Sequence, residues 1–505
     1  MTHLHFPWLE SVVLVPLLGA LLLRGTRSDS KSRIRALILY GLTLLVATGA
    51  WLDFDFLHVK EADDLGHLPT LLLHRKLFVM DQLSAPLLPL AALLYFLTAL
   101  TQPRTKIGGY DDRRNLISES LLLATLCCKD DWILIGLILL SALPVYLELR
   151  ARGQATRMYL LYNALLGLLL ILGQAIVERE GTQQIHTLWA LVPLLGAVFI
   201  RGGIFPFHGW MTDLFERASF GTALLHVAPL TGAYLAVRLV MPIAPDWVLR
   251  GIGWVSLVTA IYSSGMALVQ QDARRFFCYL FLSHSALVLV GLEAVTPIGL
   301  TGALCVWLTV GMSLGGLGLT LRALEARRGR LTLTSFQGMY DHTPDLAVCF
   351  LLTGLASVGF PGMAGFVGAE LLVDGVVEAY PLVGVTVVIA AALAGIAVVK
   401  AYFLLFTGPR HQSSIPLQSR PRLRWSMLLL IALVMLGGWF PQPGVKSRHE
   451  AATELLAMRA ERGLRTLPEP SAEGNQDMNE HADGDQHARG DAAAEPRRSQ
   501  SPSGS

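Results

Sequence analysis

Apolar residues dominate this chain in long runs rather than in alternation. Runs of sufficient length to cross about 30 Å of hydrocarbon fall near 11–23, 34–53, 78–101, 114–127, 130–149, 156–177, 186–202, 219–241, 249–269, 275–292, 297–323, 345–375, 380–406 and 423–440. Backbone groups in lipid must be satisfied within the segment, so these runs predict helices. The pattern therefore reads as an all-α, polytopic membrane protein with about fourteen transmembrane helices. Several are expected to be discontinuous. Gly202-Gly203 and Pro206 break the chain after the seventh run, Pro229 with Gly232 falls halfway along the eighth, and Gly359-Phe-Pro-Gly interrupts 345–375. Such breaks either kink a packed helix or free carbonyls and amides to line a hydrated site.

The polar connections test the count. With the N-terminus outside, the cytoplasmic connections are 24–33, 102–113, 150–155, 203–218, 270–274, 324–344 and 407–422. Including flanking positions they hold about 23 lysines and arginines, against about 6 between helices on the other side. One helix more or fewer would scramble that bias, so both ends are expected outside the cytoplasm and the protein is expected in the cell (inner) membrane. Three regions follow: a transmembrane domain over 1–440, a short amphipathic segment over 441–464, and a hydrophilic tail over 465–505 too poor in aliphatics to order itself.

Composition agrees with this picture. Of 505 residues, 53% are hydrophobic and 15% charged, and the mean hydropathy is +0.51. The formal net charge of +2 points to no nucleic-acid partner. Cys127, Cys128, Cys278, Cys305 and Cys349 have no metal-ligand spacing, so no metal site is expected. No nucleotide-binding motif is present, so the chain is expected to hold no cofactor and not to be catalytic alone.

Ionisable residues inside the runs are the candidate chemistry, because a charge near the bilayer centre costs about 2.5–3.5 kcal/mol on insertion scales. They concentrate in RGGIFPFHGWMTDLFERASFGTALLH (201–226). Arg201, His208 and His226 are read as lining an ion path, or as an interfacial loop sitting in water. Asp213 and Glu216 mark its cytoplasmic side. In QQDARRFFCYLFLSHS, Asp272, Arg274 and Arg275 stand at a helix entrance, and His284 lies two to three turns inward. His284 is a proton relay or a histidine bonded to a neighbouring helix. Glu370 and Asp374, four apart, share a helical face. Lys400 is either an internal cation or a side chain snorkelling to the interface.

These residues carry a resemblance. The chain resembles the antiporter-like membrane subunits of respiratory complex I, shared with multi-subunit Mrp-type Na+/H+ antiporters and membrane-bound hydrogenases. The family's F-P-x-H-x-W-x-x-D-x-x-E and following L-x-H fit Phe205-Pro206, His208, Trp210, Asp213, Glu216, Leu224 and His226, with Arg201 at its lysine. Its D-x-K-R-x-x-A-Y-S-x-x-S-H fits Asp272, Arg274, Arg275, Tyr279, Ser283 and His284. Its P-G-x-x-G-F-V-G-E fits Pro361 through Gly368, with Glu370 displaced by one. Weaker echoes are Met80 through Ser84 and Tyr159 through Gly167.

The resemblance implies a proton- or cation-translocating membrane subunit of an NADH:quinone oxidoreductase-like complex. Flavin, iron–sulfur clusters and quinone would then belong to partner subunits. The alternatives it admits are the membrane subunit of an inorganic-carbon pump or Na+/H+ antiporter, and a non-conducting structural subunit. The departures bear on that choice: the family's fifth-helix glutamate falls on Leu139, its seventh-helix lysine on Arg201 and its eighth-helix lysine on Gly232. The eleventh span has no ionisable residue before Arg322.

Overall fold

The computed structural model describes residues 2–23, 30–64, 77–102, 111–181, 186–377, 380–409 and 421–464. The basic connections at 24–29, 103–110 and 410–420, and the tail 465–505, lie outside the described residues.

Helices account for nearly all of the described chain. In order they are α1 (Trp8–Leu22), α2 (Ser30–Leu57), α3 (Leu87–Leu100), α4 (Asp112–Cys127), α5 (Asp131–Ala151), α6 (Arg157–Glu180) and α7 (Leu188–Gly202). A short α8 (Gly209–Arg217) follows, then α9 (Phe220–Val227), α10 (Thr231–Leu235) and a π-helical turn over Ala236–Val240. The remainder are α11 (Asp246–Val269), α12 (Ala273–Ala294), α13 (Pro297–Arg328), α14 (Pro344–Val358), α15 (Ala364–Val377), α16 (Pro381–Phe406), α17 (Pro421–Trp439) and α18 (Gln442–Glu461). Among the described residues, nine helical segments are each long and apolar enough to span a bilayer. The protein is an integral, multi-pass membrane protein.

The shorter apolar helices explain the sequence breaks. At 1.5 Å per residue, the 15 residues of α7 cover only part of the hydrocarbon. Beyond the turn at Gly203 the chain continues as α8, and beyond Gly359–Met363 α14 is followed in the same way by α15. Gly203 (φ 68) and Gly359 (φ 87) take the left-handed conformation that ends each half-helix.

Contacts between connections sort the helix ends into two sets. At one end the Arg33 guanidinium donates to the Gln102 carbonyl (2.7 Å) and Ser219 N–H to the Glu148 carboxylate (3.0 Å). Arg274 there binds Glu325, and Gln337 N–H donates to the Leu404 carbonyl (2.8 Å). At the other end a small sheet joins β1 (Thr2–His3), β2 (Glu61–Asp63) and β3 (Val79–Asp81) in that order, β1–β2 parallel and β2–β3 antiparallel. Asp64, just past β2, accepts from Glu10 N–H (2.8 Å) at the start of α1. Burial pushes the Asp64 carboxyl up to about 6.

α18 lies at that second end. Its Arg448 donates to the carbonyls of Leu83 (3.3 Å) and Gln82, and Arg459 to those of Ala244 (2.9 Å) and Met241. Arg459 also pairs with Asp246 at 2.7 Å. Both arginines are 1% exposed, so this helix is fastened by buried charge rather than by an apolar stripe alone. Between the two ends, α13 runs through the middle against α12, α14, α15 and α18, and its residues are mostly buried.

Candidate functional site

The last turn of α7 delivers Arg201 to the protein interior, where it is 6% exposed. Its Nε donates to Thr231 Oγ1 (2.7 Å) and its Nη1 to His226 Nε2 (2.7 Å). A guanidinium has no acceptor, so His226 Nε2 receives this bond; the ring is neutral and carries its proton on Nδ1. The Tyr159 hydroxyl, from α6, lies 3.3 Å from the same nitrogen. Trp210 closes the site: its indole donates to the Ile200 carbonyl (2.7 Å), its ring meets His226 edge-on (6.1 Å), and the Arg201 guanidinium lies 5.9 Å from its centroid. A buried cation is thus held by neutral acceptors and an aromatic face.

The break in the eighth span is what brings these groups together. Pro229 offers no N–H, and Leu230 adopts φ 53, so α9 stops and α10 restarts at Thr231. The Trp307 indole donates to the freed Pro229 carbonyl (3.3 Å). Gly232 then lies against the end of α7: a Cβ there would stand 2.6 Å from Gly202 N and 2.7 Å from Gly202 Cα. That approach puts Thr231 within reach of Arg201. It also excludes any side chain, lysine included, from the position where the resemblance places one.

Small cavities flank the Arg201–His226–Thr231 wall. One of about 20 Å³ is also lined by Trp210, Gly232 and Ser285; another of about 10 Å³ is lined by Tyr95, Ser118 and Ser141. Each is close to the volume needed for a single water, and each is bordered by polar groups. Next to Ser285 is His284, 3% exposed, with Nδ1 2.7 Å from the Leu280 carbonyl. A row of polar groups therefore runs from Tyr95 on α3 and Ser118 on α4, through the broken spans, to Ser285 and His284 on α12.

Other residues expected on the path lie elsewhere. His208 is half-buried at the start of α8 among Phe205, Tyr262 and Tyr279, with no hydrogen-bond partner on its buried Nδ1. Glu370 and Asp374 are exposed on the outer side of α15 and do not line an interior path in this chain. Helical spacing was right in putting them on one face, but that face points away from α13. Lys400 is likewise exposed, its Nζ donating to the Leu268 carbonyl (2.9 Å).

The groups expected at the helix ends form an ion-pair belt. Asp213 accepts from Arg217 (2.5 Å) and Glu216 from Arg275 (2.6 Å). Asp272 caps α12 through the N–H groups of Arg274 (2.8 Å) and Arg275 (3.2 Å) and also pairs with Arg330 (3.1 Å). Arg274 reaches Glu325 (2.5 and 2.8 Å) and the carbonyls of Phe215 and Ala218, both at 2.9 Å. This belt ties α8, α12 and α13 together. Among the described residues no group of three or more histidines, cysteines or acids is arranged to hold a metal, and the five cysteines are free and buried.

Residues 131–394 match the family described as "NADH:quinone oxidoreductase/Mrp antiporter, TM". The chain belongs to that family. It is 25% identical to NAD(P)H-quinone oxidoreductase chain 4 1 of Synechococcus elongatus, over 92% of this chain and 94% of that one. It is 26% identical to NADH-quinone oxidoreductase subunit 13 of Thermus thermophilus, over 75% and 86%. Among solved structures, a chain of respiratory complex I from Thermus thermophilus with bound NADH superposes with TM-score 0.77 at 23% identity, covering 89% of this chain and 99% of that one. A chain of the Mrp complex from Dietzia sp. superposes with TM-score 0.77 at 18% identity, covering 90% and 99%. The antiporter-like fold is common to all of these.

Within that fold, sequence reading passed over Thr231, Tyr95, Ser118, Glu119 and Glu325. For Glu119 a signal was available: it is an acid within the run 114–127 that reads as a membrane span. Thr231 and Ser118 carry no such mark, because hydroxyl residues are ordinary in membrane helices.

Proposed function

We propose that this chain is the proton- or cation-translocating membrane subunit of an NADH:quinone oxidoreductase-like, multi-subunit complex. Electron transfer in partner subunits, which carry the flavin, iron–sulfur and quinone chemistry, is coupled to ion movement here. The observation that carries this reading is the buried Arg201–His226–Thr231 centre between two cavities, each about the size of one water, at broken spans. Discontinuous helices around a buried cation suit an ion path far better than an anchor. The relatives named as quinone oxidoreductase subunits supply the redox partner.

The path in this reading runs through Arg201, His226 and His284. His208 stands at its side, and Glu370, Asp374 and Lys400 face lipid or neighbouring subunits. The helix ends bearing the ion-pair belt face the cytoplasm of the inner membrane, following the bias of basic residues, and both termini lie outside. A Na+/H+ antiporter subunit, or the membrane subunit of a carbon pump, is the second reading. It is favoured by Leu139 and Gly232 standing where redox-driven relatives are expected to carry a glutamate and a lysine.

Purification of the tagged chain in mild detergent separates these readings. Co-purifying subunits with flavin and iron–sulfur absorption support the first. A single large zinc-binding soluble partner supports the carbon pump, and a chain isolated alone overturns the coupled reading.

A further inference from the structure

We infer that the Arg201 centre binds a small monovalent inorganic anion of halide size, seated in the larger of the two cavities beside the guanidinium. The inference rests on the geometry of that centre and not on which ion the complex moves. Three arginines are buried among the described residues: Arg201, Arg448 and Arg459. Arg448 donates to the carbonyls of Gln82 and Leu83, and Arg459 to those of Met241 and Ala244 and to the Asp246 carboxylate. Arg201 meets neither a carbonyl nor a carboxylate among the described residues. Its acceptors are the Thr231 hydroxyl and the His226 imidazole, both neutral. A guanidinium stays protonated, and a buried charge is costly unless a counter-charge reaches it.

The donors for such an anion are in place. Arg201 bonds these neighbours through Nε and Nη1 only, so Nη2 remains to donate to a ligand. The Thr231 hydroxyl accepts from Nε and keeps its own proton to donate. Both side chains line the cavity of about 20 Å³, and none of the residues around it is acidic. Ser285 and Trp210 also border it, but their donors are committed to the carbonyls of Leu282 (3.0 Å) and Ile200 (2.7 Å). They shape the seat without binding its occupant. The volume exceeds the ~10–15 Å³ that one water needs, so an ion a few tenths of an ångström larger in radius fits. Sulfate and gluconate do not. A water would fill the space and leave the arginine uncompensated; a halide fills it and neutralises the charge.

Chloride titration of the purified complex in detergent tests this. Starting from gluconate at constant ionic strength, chloride is expected to raise the melting temperature by about 1–2 °C for each tenfold increase beyond half-saturation. Bromide should act alike, and sulfate should have no such effect. Arg201→Met should abolish the response. Thr231→Val, which removes the hydroxyl at nearly constant volume, should move half-saturation to about tenfold higher chloride or more. A parent complex that melts alike in chloride and gluconate, or an Arg201→Met complex that keeps the chloride response, would overturn the inference. If Arg201→Met fails to assemble, crystals of the parent complex soaked in bromide decide: an anomalous peak beside the guanidinium upholds the site, and its absence overturns it. Neither readout involves ion uptake. A complex that moves no protons would therefore remove the transport reading and leave the anion site to be judged by itself.

Discussion

Gly232→Ala probes the geometry on which the site depends. The added methyl would lie 2.6 Å from Gly202 N, 2.7 Å from Gly202 Cα and 3.1 Å from the Arg201 carbonyl carbon, all main-chain atoms that no rotamer change can move aside. Relief requires α10 and α7 to separate, and the 2.7 Å bond from Arg201 to Thr231 spans that same gap. Overpacking of this kind costs about 1–3 kcal/mol, at the upper end where only backbone is available to yield. Helix propensity acts in the opposite direction, since alanine is favoured over glycine by about 1 kcal/mol. Gly251→Ala on α11 isolates that term, because nothing lies within 4 Å of its Cβ position. Gly251→Ala is therefore expected to leave the melting temperature in detergent level or raised. Gly232→Ala should lower it and reduce ion uptake by the reconstituted complex. A Gly232→Ala protein as stable and as active as its parent would refute the claim that this contact positions Arg201.

Three further outcomes follow from groups at the sheet end. Asp81 and Arg238 form a bidentate pair (2.5 and 3.0 Å) with the guanidinium over Tyr234, so Asp81→Asn strands a buried cation and should cost about 3–5 kcal/mol in thermal unfolding. The double replacement Asp81→Leu with Arg238→Met should cost less than either single change. The folded-state value of Asp64 is raised by burial from 3.8 to about 6, so its contribution is fully present below about pH 4 and lost as pH rises through about 6. Asp64→Asn should accordingly raise the melting temperature above that range and leave it unchanged near pH 4. Arg459→Ala removes the donors held by Met241, Ala244 and Asp246, at about 2 kcal/mol or more, and should speed hydrogen exchange across 442–461 selectively.

Much of the fold was legible because lipid leaves helices as the economical solution for long apolar runs. The breaks at Gly203, Pro229 and Gly359 were visible for the same reason: glycine and proline stand out in such runs. Arg201 and His226 could be paired as candidates, since both are costly residues one motif apart. The site's second half was not legible. Whether Glu370 and Asp374 face inward depends on which side of α15 meets α13, and periodicity places residues on a common face without saying which way it points. Thr231 acquires its role through the close approach of Gly232 to Gly202, a contact 30 residues apart in sequence. The arginines of α18 look like a solvated face in sequence; they are buried because they find free carbonyls at the ends of other helices.

The most direct test of the account is proton uptake by proteoliposomes holding the purified complex, driven by its electron donor and quinone, with Arg201→Ala and His284→Ala beside the parent. The parent is expected to move protons, and both variants to assemble and lose most of that movement. Uptake unchanged in both would contradict the claim that the buried centre and its histidine lie on the path.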